Sequence, residues 1–274
     1  MPFLETSPGV KIYYDDIGAG RPLVMLHGWG MSQRVWEFQR ELADSCRLVL
    51  ADLRGHGRSG TSANGFSLDD LAGDLVRLFN HLALQNAYLL GWSLGSLVAL
   101  AAFPEIRERL AGLILVGATP RFTATDGYPH GLPAKEPRGI GLRLRRDFNG
   151  TMGEFFRWMF APGELSREQQ NRIAREIVMG GRLPDPAAAQ AALGILATAD
   201  LRETLPAVDL PVLLLHGSLD SICPPGSAHF MAERLPNARL IEFDAAGHAP
   251  FLSRAAEFNS ALRDFIGVDS HGPD

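Results

Sequence analysis

Five short runs of apolar residues limit what this chain can fold into. Leu23-Val24-Met25-Leu26 ends at His27-Gly28, and Leu48-Val49-Leu50-Ala51 ends at Asp52. Tyr88-Leu89-Leu90 ends at Gly91, Leu113-Ile114-Leu115-Val116 at Gly117, and Val212-Leu213-Leu214-Leu215 at His216-Gly217. Strands that are apolar at every position must be covered on both faces, as in a parallel sheet between two helical layers. Helical spacing fills the intervals. Leu68, Leu71, Leu75, Leu78 and Leu82 recur every three or four residues, behind Ser67 as N-cap and Asp69 and Asp70 in the first turn. The alternation predicts an α/β fold with a doubly wound, mostly parallel sheet and right-handed crossovers.

The alternation stops between about Pro120 and Asp200. Here the apolar residues take helical spacing, and no strand pattern appears. Arg121 to Gly141 is rich in Gly and Pro and reads as irregular, whereas Phe155, Phe156, Trp158, Met159 and Phe160 form a dense aromatic cluster. Alternation resumes at Pro211 and continues through Arg239-Leu240-Ile241-Glu242-Phe243 to a closing helix from about Ala255 to Ile266. The expected organisation is a core of residues 1–119 and 201–274, with a helical lid, 120–200, inserted after the fourth apolar strand. The tail Ser270-His271-Gly272-Pro273-Asp274 is expected to fray.

Composition removes several classes. Of 274 residues, 46% are hydrophobic and 21% charged, enough apolar side chain to offset the entropy of ordering. No apolar stretch is long enough to cross a bilayer, and the N-terminus has no basic region followed by an apolar run, so no membrane span or signal peptide is expected. A net charge of −5 argues against nucleic-acid binding. Cys46 and Cys223 match no metal or redox spacing and read as reduced thiols of a cytoplasmic protein. No metal or cofactor is expected, and a monomer is.

Gly91-Trp92-Ser93-Leu94-Gly95 follows a strand-like run and opens a helical segment, Ser96 to Phe103. A sharp strand-to-helix turn brings backbones together where a Cβ would clash, hence the glycines. Such a turn lifts the Ser93 hydroxyl above the strand ends and leaves the Leu94 N–H free at a helix N-terminus to bind an oxyanion. A serine hydroxyl needs a base. His248, in Ala246-Gly247-His248-Ala249-Pro250, lies between the last strand and the last helix, where it can reach across the strand ends. Of the other histidines, His27 and His216 stand at strand ends and could line a cleft. His56 reads as part of a structural turn, and His81, His130, His229 and His271 as surface or loop residues. Asp220, 28 residues before His248, follows the next-to-last strand and is the candidate to orient the imidazole. Asp244 is its competitor but reads as part of a turn. Asp52 reads as a loop residue bonded to nearby backbone N–H groups. After Gly28, the Trp29 N–H can point at the same oxygen as that of Leu94, while Trp29 and Trp92 wall the cleft.

Serine, acid and histidine thus run in the order 93, 220, 248. With the Asp52-Leu53-Arg54-Gly55-His56-Gly57-Arg58-Ser59 loop, they resemble the α/β-hydrolase superfamily along nearly the whole chain. Within it, four segments are similar to the pimeloyl-acyl-carrier-protein methyl ester esterases of biotin synthesis. These are Leu26-His27-Gly28-Trp29-Gly30, Leu90-Gly91-Trp92-Ser93-Leu94-Gly95, Thr198-Ala199-Asp200-Leu201-Arg202 and Ala246-Gly247-His248-Ala249-Pro250-Phe251. Asp147-Phe148 and the Phe155 region are also similar. Ser96 departs from the family, which has a third glycine there.

The resemblance implies a serine carboxylesterase acting on a methyl ester whose acyl chain rides on acyl carrier protein. Phe155, Phe156, Arg157, Trp158 and Met159 are then candidates for an acyl-binding wall, or simply the packing surface of the lid. The carrier is acidic, and residues 121–157 hold seven basic and four acidic side chains. Arg138, Arg143, Arg145 and Arg146 are the candidates for carrier binding, against the alternative of an ordinary solvated helix face. The competing readings are a hydrolase for another small ester, lactone, thioester or C–C substrate, and a ligand receptor built on the same fold. Serine at the turn argues against chemistry that starts from a carboxylate nucleophile.

Overall fold

Eight strands form one sheet: β1 (Phe3–Ser7), β2 (Val10–Ile17), β3 (Arg21–Leu26), β4 (Cys46–Ala51), β5 (Ala87–Trp92), β6 (Leu110–Val116), β7 (Val212–Gly217) and β8 (Ala238–Phe243). This is a computed structural model, describing residues 3–7, 9–61, 65–178 and 182–268. The strand order is β1-β2-β4-β3-β5-β6-β7-β8. Only β1–β2 and β2–β4 are antiparallel; every pairing from β4 to β8 is parallel. All five apolar runs lie in strands, and every residue of β5 and β7 is buried.

β1 and β2 are additions to the expected sheet. Their sequences, Phe-Leu-Glu-Thr-Ser and Val-Lys-Ile-Tyr-Tyr-Asp-Asp-Ile, mix polar with apolar residues, because one edge of the hairpin meets solvent. Gln33–Asp44, a run of 3₁₀ turns between β3 and β4, is a second unexpected element.

Helix α1 (Leu68–His81) starts at a capping box: the Asp70 N–H donates to Ser67 Oγ, and the Ser67 N–H to Asp70 Oδ2. Helix α2 (Leu94–Ile106) is longer than the expected Ser96–Phe103 and buried on almost all sides. Between β6 and β7 stand α3 (Lys135–Arg146), α4 (Phe148–Trp158), α5 (Arg167–Ile173) and α6 (Pro186–Thr198). The expectation of an irregular Arg121–Gly141 needs correction, since α3 begins at Lys135. Pro137 lies in its first turn, where a missing N–H costs nothing. Before it, the chain makes only bridges, Thr123 with Leu132 and Thr125 with Tyr128.

The two ends of this insertion are pinned together. The Leu201 N–H donates to the Pro120 carbonyl, and Arg121 bonds Asp200 at 2.6 Å. Hydrogen bonds from Arg202 foremost, and from Arg121, hold the Asp200 carboxyl well below the usual range. Helices α7 (Gly226–Arg234), α8 (Pro250–Ser253) and α9 (Ala255–Ile266) complete the described chain. Register sets Leu26 beside Gly91, Trp92 beside Val116, and Val116 beside Leu215. The C-terminal ends of β3, β5, β6 and β7 therefore share one level, where an open α/β sheet places its ligands. His271 and the tail lie outside the described residues.

Candidate active site

Ser93 follows β5 directly and has φ 54° and ψ −112°, a left-handed conformation that costs a β-carbon residue about 1–3 kcal/mol. The surroundings enforce it. The Ser93 N–H donates to the Val116 carbonyl at 2.9 Å. A Cβ on Gly91 would stand 2.4 Å from the Gly95 carbonyl oxygen, and one on Gly95 would stand 2.6 Å from that of Leu26. Only glycines let the turn close this tightly. Ser96, the departure from the family pattern, bonds its hydroxyl to the Gly91 carbonyl at 2.6 Å and so ties strand to helix across the turn.

His248 is buried beyond β8, and its Nδ1 lies 2.7 Å from Asp220 Oδ2. The other carboxylate oxygen of Asp220 accepts the N–H groups of Ile222 and Cys223, each at 2.8 Å. Burial alone would push the Asp220 carboxyl up. The charge of His248 and its hydrogen bond, with help from His216 and the Cys223 N–H, outweigh burial and keep it ionised. In the neutral ring, Nδ1 donates to Asp220 and leaves a lone pair on Nε2, which has no hydrogen-bond partner among the described residues. Such a nitrogen can accept a proton and pass it on.

Cys223 links these groups. Its side chain lies close to that of Ser93, and burial, then the Asp220 charge, push its thiol pKa well up, so it stays a neutral thiol. Sequence reasoning missed this contact, since a cysteine three residues after an acid carries no spacing signal. The loops meet through further glycines. A Cβ on Gly117 would stand 2.9 Å from His248 Nδ1, and one on Gly217 would stand 1.9 Å from the Gly247 carbonyl oxygen.

The remaining candidates distribute as follows. Leu94 is the first residue of α2, so its N–H has no partner inside the helix. Trp29 is buried, its indole donating to the Ala189 carbonyl at 2.8 Å and meeting Phe155 edge-to-face at 4.7 Å. The five residues Phe155–Met159 do not share one wall, because successive helix residues point about 100° apart. Phe156 and Arg157 line a cleft of about 990 Å³ with Met31, Met152, Arg167 and Leu183. Trp158 instead faces α3, across a depression shared with Glu136, Ile140 and Arg143. Met159 turns its carbonyl to the His248 N–H, at 2.7 Å.

Arg138, Arg143, Arg145 and Arg146 are all exposed on α3. They flank Leu142, a leucine 61% exposed, while Pro137, Ile140, Gly141 and Leu144 face inward. Arg143 reaches Glu154 at 3.9 Å, and no ion pair among the described residues holds the other three.

Two histidines do not line the cleft as expected. His27 is fully buried, its Nε2 accepting the Leu53 N–H and its Nδ1 donating to the Gly28 carbonyl; it holds the loop after β3 against the loop after β4. His216, also buried, donates Nε2–H to the Cys223 carbonyl at 2.7 Å and stands 3.4 Å from Asp220. Asp52 accepts the Gln33 and Arg58 N–H groups, and Asp244 is exposed in a turn. No helix among the described residues is long and apolar enough to cross a membrane.

The family model for the alpha/beta hydrolase fold matches residues 21–255. The chain is 38% identical over 256 residues to the pimeloyl-[acyl-carrier protein] methyl ester esterase of Nitrosomonas europaea, covering 92% of this chain and 98% of that protein. It is 35% identical over 257 residues to the enzyme of the same name from Aliivibrio fischeri, covering 93% and 97%. Among solved structures it resembles an esterase from Exiguobacterium antarcticum, with TM-score 0.90 and 31% identity over 97% of this chain and 98% of that one. Strained serine turn, parallel sheet and sequence likeness agree: the chain belongs to the α/β-hydrolase fold family, and its likeness within that family is to ester hydrolases.

Proposed function

We propose that this protein hydrolyses a methyl ester at the end of an acyl chain carried by acyl carrier protein, the pimeloyl ester of biotin synthesis, through an acyl-enzyme on Ser93. The single observation that supports it most is the buried His248 imidazole, bonded through Nδ1 to Asp220, without a hydrogen-bond partner at Nε2 among the described residues, and packed on Trp92, the residue before the serine on the strained turn. In this reading His248 Nε2 takes the Ser93 proton as Oγ attacks the ester carbonyl. The Trp29 and Leu94 N–H groups receive the developing oxyanion. The tetrahedral species collapses as His248 returns the proton to the leaving methoxide, releasing methanol. Water, deprotonated by the same nitrogen, then frees the carboxylic acid. Asp220 stays ionised and stabilises the imidazolium.

The cleft between Met31 and Phe156 suits an acyl arm, with an apolar floor of methionine and phenylalanine side chains and Arg157 and Arg167 on its lining. The α3 arginines offer charge complementary to an acidic carrier. The carrier and chain length come from the relatives' names; the hydrolytic chemistry comes from the residues. The test is rescue of biotin-independent growth in cells lacking their own esterase. Growth with the wild-type gene and none with Ser93→Ala supports the reading, and no rescue despite good expression counts against the pimeloyl assignment.

A further inference from the structure

The loop that carries His248 is tied to the helical insertion as well as to the strand ends of the sheet. The His248 N–H donates to the Met159 carbonyl at 2.7 Å, at the end of α4. The preceding N–H, of Gly247, donates to Glu164 Oε2 at 2.8 Å. The same oxygen accepts the Ala161 N–H at 2.6 Å, closing a turn that also joins the Glu164 N–H to the Ala161 carbonyl at 3.1 Å. Oε1 of Glu164 accepts the hydroxyl of Ser253, at the end of α8. One half-buried carboxylate therefore bridges both flanks of His248 to the insertion. Gly247 is shaped for this contact. A Cβ there would stand 2.6 Å from the Met159 carbonyl oxygen and 2.7 Å from the Ala161 nitrogen, so any other residue would push the insertion away.

We propose that Glu164 is a positioning residue. Its carboxylate fixes the Gly247–Ser253 segment so that the His248 ring keeps its bond to Asp220 and aims Nε2 at the serine. Three backbone or hydroxyl donors on one anion are charge-assisted bonds of the stronger kind. The longest spans 89 residues of sequence, and two of the three join parts of the chain that share no sheet register. The proposal rests on the reading of His248 as the general base. It makes the seating of the insertion a condition for catalysis on any ester, large or small, which binding of the carrier to α3 does not.

The test compares Glu164→Ala and Glu164→Gln with wild type on a short p-nitrophenyl ester. A misplaced base costs rate rather than affinity, so Glu164→Ala is expected to lose about ten- to a hundredfold in kcat with KM within about twofold. Glu164→Gln keeps an acceptor for the Gly247 N–H and a donor for Ser253 Oγ, and is expected to recover most of the loss. The downfield proton resonance of the His248–Asp220 bond gives a second readout, broadened or lost in Glu164→Ala and retained in Glu164→Gln. Unchanged kcat in Glu164→Ala, or a loss confined to KM, overturns the proposal. So does a resonance that stays sharp in Glu164→Ala. If the wild type hydrolyses no ester, the esterase reading fails, and the resonance alone still decides whether Glu164 positions the histidine.

Discussion

The indole of Trp92 donates to the carbonyl of His248 at 2.9 Å, so the residue before the strained serine holds the backbone of the histidine. The two rings also pack, with centroids 5.4 Å apart, and Trp92 meets Phe251 and Trp36 edge-to-face. The bond and the packing separate in a Trp92→Phe variant. Losing the donor leaves a buried carbonyl unpaired, a cost of about 1–3 kcal/mol in stability. Urea unfolding should show that loss, and kcat should fall more than KM rises. A variant as stable and as active as wild type would mean that the bond is incidental.

Asp220→Asn should fold normally and lose about 10⁴ in kcat, because an amide NH₂ facing Nδ1 favours the wrong imidazole tautomer. Asp244→Asn, at an exposed turn, should behave as wild type. The opposite ranking in steady-state kinetics would move the acid to Asp244.

Reversal of Arg138, Arg143, Arg145 and Arg146 to Glu should lower kcat/KM for a carrier-bound methyl ester and leave a small free ester almost untouched. The four side chains are exposed around Leu142, so the expected effect is on encounter and orientation of the carrier. Added salt should weaken the wild-type reaction on the carrier substrate, since exposed charges are screened within about 8 Å at physiological ionic strength. Equal losses on both substrates would indicate a damaged insertion instead.

The buried pair His27 and His56, with ring centroids 5.3 Å apart, should make the fold sensitive to acid. Burial pushes His56 down to about 4, and burial together with the neighbouring His56 pushes His27 down to about 3. Below the ordinary value of 6.5 the unfolded chain binds protons that the native state refuses, so stability falls as pH drops from about 6.5 towards 4. Asp52 acts in the other direction. Burial pushes it up to about 6 against the Arg58 and Gln33 N–H groups, so the native state gains that proton first between about 6 and 4. The histidines outnumber it, and the net slope keeps its sign. His56→Asn retains a donor for the Arg54 carbonyl and should reduce the stability lost between pH 7 and pH 4 by about 3 kcal/mol. Parallel pH profiles for the two proteins would show that His56 contributes nothing to the acid limb.

The inner strands were legible because each is apolar throughout, and the serine turn because Gly91 and Gly95 have no substitute at such close approach. β1 and β2 were not, since Lys11, Asp15 and Asp16 interrupt their apolar residues at a solvent-facing edge. The start of α3 was obscured by Pro137, Gly139 and Gly141, residues that local propensity assigns to loops and that packing against α6 and α4 overrides. The approach of Cys223 to Ser93 and the bond from Gly247 to Glu164 join residues 130 and 83 positions apart. They follow from how the loops assemble, not from any spacing. Strand-end positions make His27 and His216 candidates to line the cleft, but both nitrogens of His27 and Nε2 of His216 bond backbone groups instead.

The proposed reaction is hydrolysis of a carrier-bound methyl ester through Ser93. The direct measurement is mass spectrometry of pimeloyl-acyl-carrier-protein methyl ester incubated with purified wild type or Ser93→Ala. The expected result is conversion to the free acid by wild type, an acyl adduct on Ser93 in rapidly quenched samples, and a rate lower by about 10⁴–10⁶ in Ser93→Ala. An intact methyl ester under conditions where a small ester is turned over, or a Ser93→Ala variant keeping even a tenth of the activity, would contradict it.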